Sequence, residues 1–116
     1  MKVCDLTGKP LKHFYQWDEG RVIALENICG ITEGCSISID FGARQTPLSY
    51  PGTDITYSSG RAEVRVPDEI LQQKNDLEIY VRTHLDEEIK TTDYALVRII
   101  GRARPSNECV STERNL

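Results

Sequence analysis

The sequence has no long hydrophobic run and no cluster of basic residues. No apolar segment approaches the roughly eighteen residues needed to cross a bilayer, and the first ten residues, MKVCDLTGKP, lack the apolar segment of a secretion signal. Fourteen basic residues against eighteen acidic ones give a net charge of -4, which disfavours nucleic acid as a partner. The 116 residues are therefore predicted to form one domain made in the cytoplasm, with neither membrane nor nucleic acid as a partner.

The sequence also lacks the short motifs of common active sites and metal sites. It contains no GxSxG elbow, no GxxxxGK[ST] phosphate loop and no HExxH zinc motif. Its cysteines, Cys4, Cys29, Cys35 and Cys109, form no CxxC pair, so buried, reduced thiols are favoured over a zinc site or disulfides. The prediction is a protein that is not an enzyme, with no catalytic residue, cofactor or metal.

The stretch YQWDEG, residues 15–20, is the first candidate for chemistry because the only tryptophan stands beside two carboxylates. On an extended chain the side chains of Asp18 and Glu19 point to opposite faces, so they cannot flank one bond as a glycosidase pair does. In a turn, the same residues need no catalytic explanation. We interpret the stretch as a core tryptophan, Trp17, followed by a turn.

Alternation of apolar and polar residues dominates the rest of the chain and is typical of half-buried strands. The predicted strands are Lys2–Leu6, Leu11–Trp17, Arg21–Glu26, Cys35–Phe41, Arg61–Val66, Leu77–His84 and Thr91–Arg102. The first two are predicted to form a hairpin, residues 67–73 one helical turn that buries Ile70 and Leu71, and residues 86–88 a solvated hairpin tip. The pattern predicts an all-β fold: an antiparallel β-sandwich of about seven strands, immunoglobulin-like or jelly-roll-like, over residues 1–105, with a flexible tail at 106–116.

The last predicted strand has apolar residues on both faces, whereas a strand of a two-layered sandwich normally leaves one face polar. We expect Ala95, Val97 and Ile99 to face one way and Tyr94, Leu96 and Ile100 the other. The strand is therefore predicted either to be central in its sheet or to be covered by a neighbouring subunit, and the second set supplies interface candidates. The long segment 42–60 adds two tyrosines that mark either an interface or a sugar-stacking surface. The interface candidates are Tyr94, Leu96, Ile100, Tyr50 and Tyr57.

Three segments taken together carry a family resemblance. FYQWDEGRVIALEN, VRVPDEILQQKNDLEIYVRT and TTDYALVRIIGRARPSN resemble, in this order, the small virion proteins, and N-terminal modules of longer ones, encoded by phages and prophages of Gram-positive bacteria. The matching positions are structural: Trp17 and Asp18 in the first motif, Pro67 and Leu71 in the second, and Arg102, Arg104 and Pro105 in the third.

The resemblance implies a β-sandwich that attaches to a phage particle, in a baseplate, tail or head-fibre component. On this interpretation the protein is located in the virion, and its partners are other virion proteins and copies of itself. The alternative from the residues alone is a stand-alone carbohydrate-binding module that uses Tyr50 and Tyr57 to bind host cell-wall polysaccharide.

Overall fold

A computed structural model of the chain describes residues 1–31, 35–43, 46–51, 55–58 and 60–105, with the backbone alone for residues 46–51 and 56. The described residues form nine strands and one short 3-10 helix, Asp68–Gln72. The strands are β1 (Lys2–Cys4), β2 (His13–Tyr15), β3 (Val22–Glu26), β4 (Ser36–Ala43), β5 (Thr46–Pro51), β6 (Ile55–Ser58), β7 (Arg61–Arg65), β8 (Leu77–Leu85) and β9 (Glu88–Ile100). This described part of the chain contains no helix with the length and hydropathy of a membrane span.

The strands form two sheets that pack face to face, which confirms the predicted β-sandwich. One sheet has the order β1-β3-β7-β6 and the other β2-β9-β8-β4-β5. Neighbouring strands are antiparallel except for β2 and β9, which run parallel. Two strands exceed the predicted set because the segment 42–60, rich in proline and glycine, contributes β5 beside β4 and β6 beside β7.

The core lies between the two sheets and consists of alternate residues of their strands. On β8, for example, Leu77, Ile79 and Val81 are fully buried while the residues between them are half-buried, as a pleated strand requires. The 3-10 helix adds Ile70 and Leu71, which are also fully buried, as predicted. The core includes Phe14, Ile23, Leu25, Ile39, Phe41, Ala62, Val64, Val66, Ile70, Leu71, Leu77, Ile79, Val81, Val97 and Ile99.

The predicted N-terminal hairpin forms only next to its turn, where Cys4 and Pro10 make an antiparallel bridge and the Leu11 N–H donates to the Val3 carbonyl at 2.9 Å; the predicted pairing of the two whole strands is wrong. The Asp5 N–H donates to the Lys9 carbonyl at 2.9 Å and the Gly8 N–H to the Asp5 carbonyl at 3.0 Å. After this turn the chain crosses to the other sheet, so that β1 pairs with β3 and β2 with β9. The crossing brings Phe14 opposite Ile99, where its ring is completely buried.

The long hairpin of β8 and β9 gives the second sheet its shape. Leu85 pairs with Glu88, so Asp86 and Glu87 form the turn, and both are exposed. This confirms the predicted hairpin tip for these two residues, whereas Glu88 is already the first residue of β9. Strand β9 then runs between β8 and β2, as a central strand of the sheet.

Candidate functional site

The three motifs of the family resemblance meet where β2 and β9 end. The Trp17 N–H donates to the Leu71 carbonyl at 2.8 Å, and the guanidinium of Arg104 lies 5.0 Å from the centre of the Trp17 ring. These contacts join the first motif to the second and the third. We call this region the motif junction.

A glutamine completes the motif junction. The side-chain amide of Gln16 donates to the Gln72 carbonyl at 2.8 Å, and its oxygen accepts the Arg102 N–H at 3.3 Å. Its backbone N–H donates to the Ile100 carbonyl at 2.8 Å. One side chain thus connects the last residue of the 3-10 helix to a residue that follows β9.

Trp17 itself is not a core residue, so this expectation is wrong. Strand β2 ends at Tyr15, two residues before Trp17, and the tryptophan adopts a left-handed backbone with φ 75°. Its side chain is only half-buried. The alternation of His13, Tyr15 and Trp17 in the sequence suggested a continuous strand, but the turn begins earlier than the pattern indicates.

The carboxylates of the motif junction stabilise its turns. Asp18 accepts a hydrogen bond from the Arg21 guanidinium at 2.8 Å and from the Tyr15 N–H at 3.3 Å. Asp68, in the 3-10 helix, accepts the Gly20 N–H at 3.0 Å. Oxygens that are held by turn amides and an arginine stabilise local structure, which is the role the sequence predicted for this stretch.

Each of the two motif prolines is the sequence neighbour of a residue of the motif junction, Pro67 of Asp68 and Pro105 of Arg104. Pro67 stands immediately before the 3-10 helix, with φ -59°, a position that suits a residue without an N–H donor. Pro105 is exposed and is the last of the described residues.

The second region of interest is the outward side of the five-stranded sheet, which we call the outer face. Along β9, Val97 and Ile99 point into the core, and the residues that alternate with them point outward. Tyr94 and Leu96 are each 43% exposed, and Ile100 is half-buried. These large side chains therefore lie on the surface of the sheet.

Strand β2 extends the apolar surface. Tyr15 is 46% exposed and pairs with Ile100, so both lie on the outer face. Near the hairpin tip, Ile89 pairs with His84 on the same face and is 57% exposed. We call this set the apolar stripe: Ile89, Tyr94, Leu96 and Ile100 of β9, with Tyr15 of β2.

Aromatic rings flank the apolar stripe on both sides. The Tyr80 and Tyr94 rings lie 5.1 Å apart, on the directly paired strands β8 and β9. The His13 and Tyr15 rings make an edge-to-face contact at 5.0 Å. Such contacts hold aromatic side chains in defined positions on a sheet surface.

Charged residues of both signs surround the apolar stripe. The Arg82 guanidinium donates to Asp40 through Nη2 at 3.0 Å, while its Nε lies 2.7 Å from the other carboxylate oxygen. Glu78 pairs with Leu96 across the strands, and Arg98 lies between Leu96 and Ile100 along β9. The outer face therefore combines an apolar centre with a mixed-charge surround.

The outward side of the four-stranded sheet differs because charged residues dominate it. Arg61 lies 3.2 Å from both Glu26 and Glu63 and donates to the Leu6 carbonyl at 2.8 Å. Val22, 38% exposed, is a large apolar side chain of this surface. The two sides of the sandwich are thus chemically distinct.

No protein-family model matches the chain, and no curated protein or solved structure matches it. The geometry of the outer face and of the motif junction is therefore the basis for a functional interpretation.

The interface candidates fall in three places. Tyr94, Leu96 and Ile100 lie together on the outer face. Tyr57, 38% exposed, lies in β6 at the edge of the other sheet. Tyr50 lies in β5, where its backbone pairs with Phe41, and its side chain is outside the described structure.

Sequence reasoning missed Tyr15 as a member of the outer face. The tyrosine is adjacent to the apolar stripe only because β2 pairs in parallel with β9. Parallel partners are distant in sequence, and neither strand carries a local signal for the pairing. The sequence indicated only, through alternation, that Tyr15 shares a face with His13 and lies opposite Phe14.

Asp93 fixes β9 beside the apolar stripe. Its carboxylate lies 3.3 Å from the amino terminus and accepts the N–H groups of Cys29 and Tyr94, both at 2.8 Å. Burial alone raises the pKa of this carboxyl group, but the two backbone donors and the ammonium group outweigh it, so the pKa of Asp93 lies below its ordinary value. Asp93 is thus ionised at neutral pH and holds the strand in place.

Among the described residues, the cysteines and the residue types that can ligate metals form no separate site. Cys4, Cys29 and Cys35 are unpaired, and Cys109 lies outside the described residues. The expected burial is confirmed for Cys4 and wrong for Cys29, which is exposed. Within the described ranges, His, Cys, Asp and Glu form no group of three or more with metal-binding geometry.

Proposed function

We propose that this protein is a non-enzymatic structural component of a bacteriophage particle and that it attaches there through its outer face. The apolar stripe is the observation that carries the proposal. Antiparallel sheets that face water on one side usually present polar residues there, and large apolar side chains gathered on one surface mark a contact with another molecule. An attachment domain needs a surface of this kind.

The motif junction supports the phage interpretation in a different way. The family resemblance rests on three short motifs, and their residues contact one another through Trp17, Leu71 and Arg104. Motifs that stabilise each other describe a fold rather than a reaction site. A particle component requires such a rigid domain and needs no catalytic group.

The mixed chemistry of the outer face fits protein partners better than a polysaccharide. The two tyrosines considered for sugar stacking, Tyr50 and Tyr57, lie in strands of different sheets. In contrast, the apolar stripe with flanking arginines has the composition of a protein–protein interface, where tyrosine and arginine are enriched. Other virion proteins and copies of this chain are the proposed partners.

The test is the amount of this protein in purified phage particles. Particles released from the strain that carries the gene are purified and analysed by quantitative mass spectrometry, for wild type and for two variants. Leu96→Glu places a charge in the apolar stripe. Val22→Glu makes the same change at a similarly exposed position on the other sheet.

We expect several copies per particle for the wild type and for Val22→Glu. For Leu96→Glu the copy number should fall about tenfold or more, since burying an unpaired carboxylate in an interface costs more than about 1.4 kcal/mol. Circular dichroism of the purified variants checks that both retain the fold. A protein that is abundant in the lysate but absent from particles contradicts the proposal. Retention on host cell-wall polysaccharide that is lost in Tyr57→Ala favours the carbohydrate-binding alternative.

A further inference from the structure

We infer that the outer face pairs with the outer face of a second copy of this chain. The inference rests on the proposed function and names the partner of the same surface. A two-fold pair of this kind presents identical residues from both copies, so the surface must be complementary to itself. The charges, the area and the composition of the outer face each bear on this requirement.

The charge of the outer face suits self-pairing. The whole chain carries a net charge of -4, so two copies repel each other at most approaches. The outward-facing charged residues of β2, β4, β8 and β9 are two acids, Asp40 and Glu78, and two bases, Arg82 and Arg98, which sum to zero. Two outer faces can therefore meet without an excess of like charge.

The area of the outer face is sufficient for a dimer of moderate affinity. The five strands of this sheet comprise 39 residues, and at about 3.3 Å per residue and about 4.8 Å between strands they cover about 600 Å². Two copies then bury roughly 1,200 Å², the lower end of the range for stable, specific interfaces. The dimer should accordingly form and dissociate with protein concentration.

The composition of the outer face matches that of the centre of an interface. Tyr15 and Tyr94 are exposed aromatic side chains with few rotatable bonds, and Leu96 lies between Tyr94 and Arg98 along the same strand. Sheets pack face to face at about 10 Å through such alternating side chains. The inner side of this sheet already packs in that way on the four-stranded sheet.

The experiment uses opposite charges at one position. The inferred two-fold axis passes through the apolar stripe at Leu96, which lies between Tyr94 and Ile100 along β9, and only residues close to such an axis meet their own equivalents. Leu96→Glu from one copy then lies near Leu96→Lys from the other. The sedimentation of wild type, each variant and their equimolar mixture is measured over a range of concentrations. Val22→Glu and Val22→Lys, on the other sheet, are the matched controls.

We expect the wild type and both Val22 variants to shift from monomer to dimer as concentration rises. Each Leu96 variant alone should dimerise about tenfold more weakly or worse, and the mixture should recover dimers. If both Leu96 variants dimerise as the wild type does, or if the mixture stays monomeric, face-to-face pairing through the apolar stripe is wrong.

A separate outcome distinguishes this inference from the proposed function. A wild type that is monomeric at every concentration, yet is present in particles and lost from them in Leu96→Glu, overturns self-pairing. The proposed function then stands, with a different virion protein on the outer face. If the protein is absent from particles but forms a dimer that Leu96→Glu disrupts, self-pairing stands and the proposed function is overturned.

Discussion

Replacing Trp17 by glycine and by alanine tests the backbone of the motif junction, because its φ of 75° is left-handed. That conformation costs a residue with a side chain roughly 1–2 kcal/mol, whereas glycine adopts it freely. In ordinary positions glycine is instead about 0.5–1 kcal/mol less stable than alanine. The difference predicts that Trp17→Gly is more stable than Trp17→Ala by about 0.5–1 kcal/mol.

Both variants lose the contacts of the indole ring. Half-burial of an aromatic side chain contributes roughly 1–1.5 kcal/mol, and the exposed stack with Arg104 about 0.5–1 kcal/mol. Trp17→Ala should therefore lower the free energy of unfolding by about 2 kcal/mol. A fully buried aromatic residue would lose about 3–5 kcal/mol, so the magnitude also reports the position of the ring.

The assay is urea unfolding followed by far-ultraviolet circular dichroism, since the variants lack the tryptophan signal. Tyr15→Gly and Tyr15→Ala are the control pair, because Tyr15 lies in an ordinary strand, and there alanine should be the more stable residue. If Trp17→Ala exceeds Trp17→Gly in stability as the control pair does, the left-handed turn is refuted. If Trp17→Ala instead lowers the free energy of unfolding by about 3–5 kcal/mol, the Trp17 ring is fully buried in the core.

Two further predictions concern the segments that fix β9. Gly30→Ala should lower the free energy of unfolding by about 2–4 kcal/mol, because φ is 77° and the new Cβ would lie 2.5 Å from Thr92. Gly20, at φ 66°, has open space around it, so Gly20→Ala should lower the free energy of unfolding by only about 1–2 kcal/mol in the same urea assay. Equal losses in the two variants would contradict the clash with Thr92. Because the pKa of Asp93 is lowered in the folded state, its stabilisation is present above the unfolded pKa of about 3.9 and is lost as pH falls through the folded value. The difference in unfolding free energy between wild type and Asp93→Asn should thus be largest at neutral pH and shrink as the pH falls through the folded value, and a difference that is independent of pH would refute this role.

Local alternation predicted which side chains enter the core. On β8 and β9 the buried and exposed residues follow the pattern of the sequence, because a pleated strand sends successive side chains to opposite faces. The pairing of strands did not follow from local pattern. The N-terminal turn resembles a hairpin in sequence, but burial of Phe14 opposite Ile99 draws β2 into the other sheet.

For the outer face, too, local alternation predicted which side chains share a face but not which strands pair. Tyr94 and Leu96 could be recognised because one strand carried apolar residues on both faces. Tyr15 could not, since its place beside Ile100 depends on a parallel pairing between distant segments. The position of Trp17 was mistaken because the residue that ends a strand is set by the hydrogen bonds of the turn, here to Leu71, rather than by alternation.

The most direct test of the outer face as the assembly surface is tyrosine labelling in intact particles. Hydroxyl-radical footprinting with mass spectrometry compares the labelling of Tyr15, Tyr94 and Tyr57 in the isolated protein, at a concentration where it is monomeric, and in purified particles. All three are exposed in the isolated chain, and Tyr57 lies in the other sheet. We predict that Tyr15 and Tyr94 are protected in particles while Tyr57 stays labelled. Equal labelling of Tyr15 and Tyr94 in both samples would contradict the account.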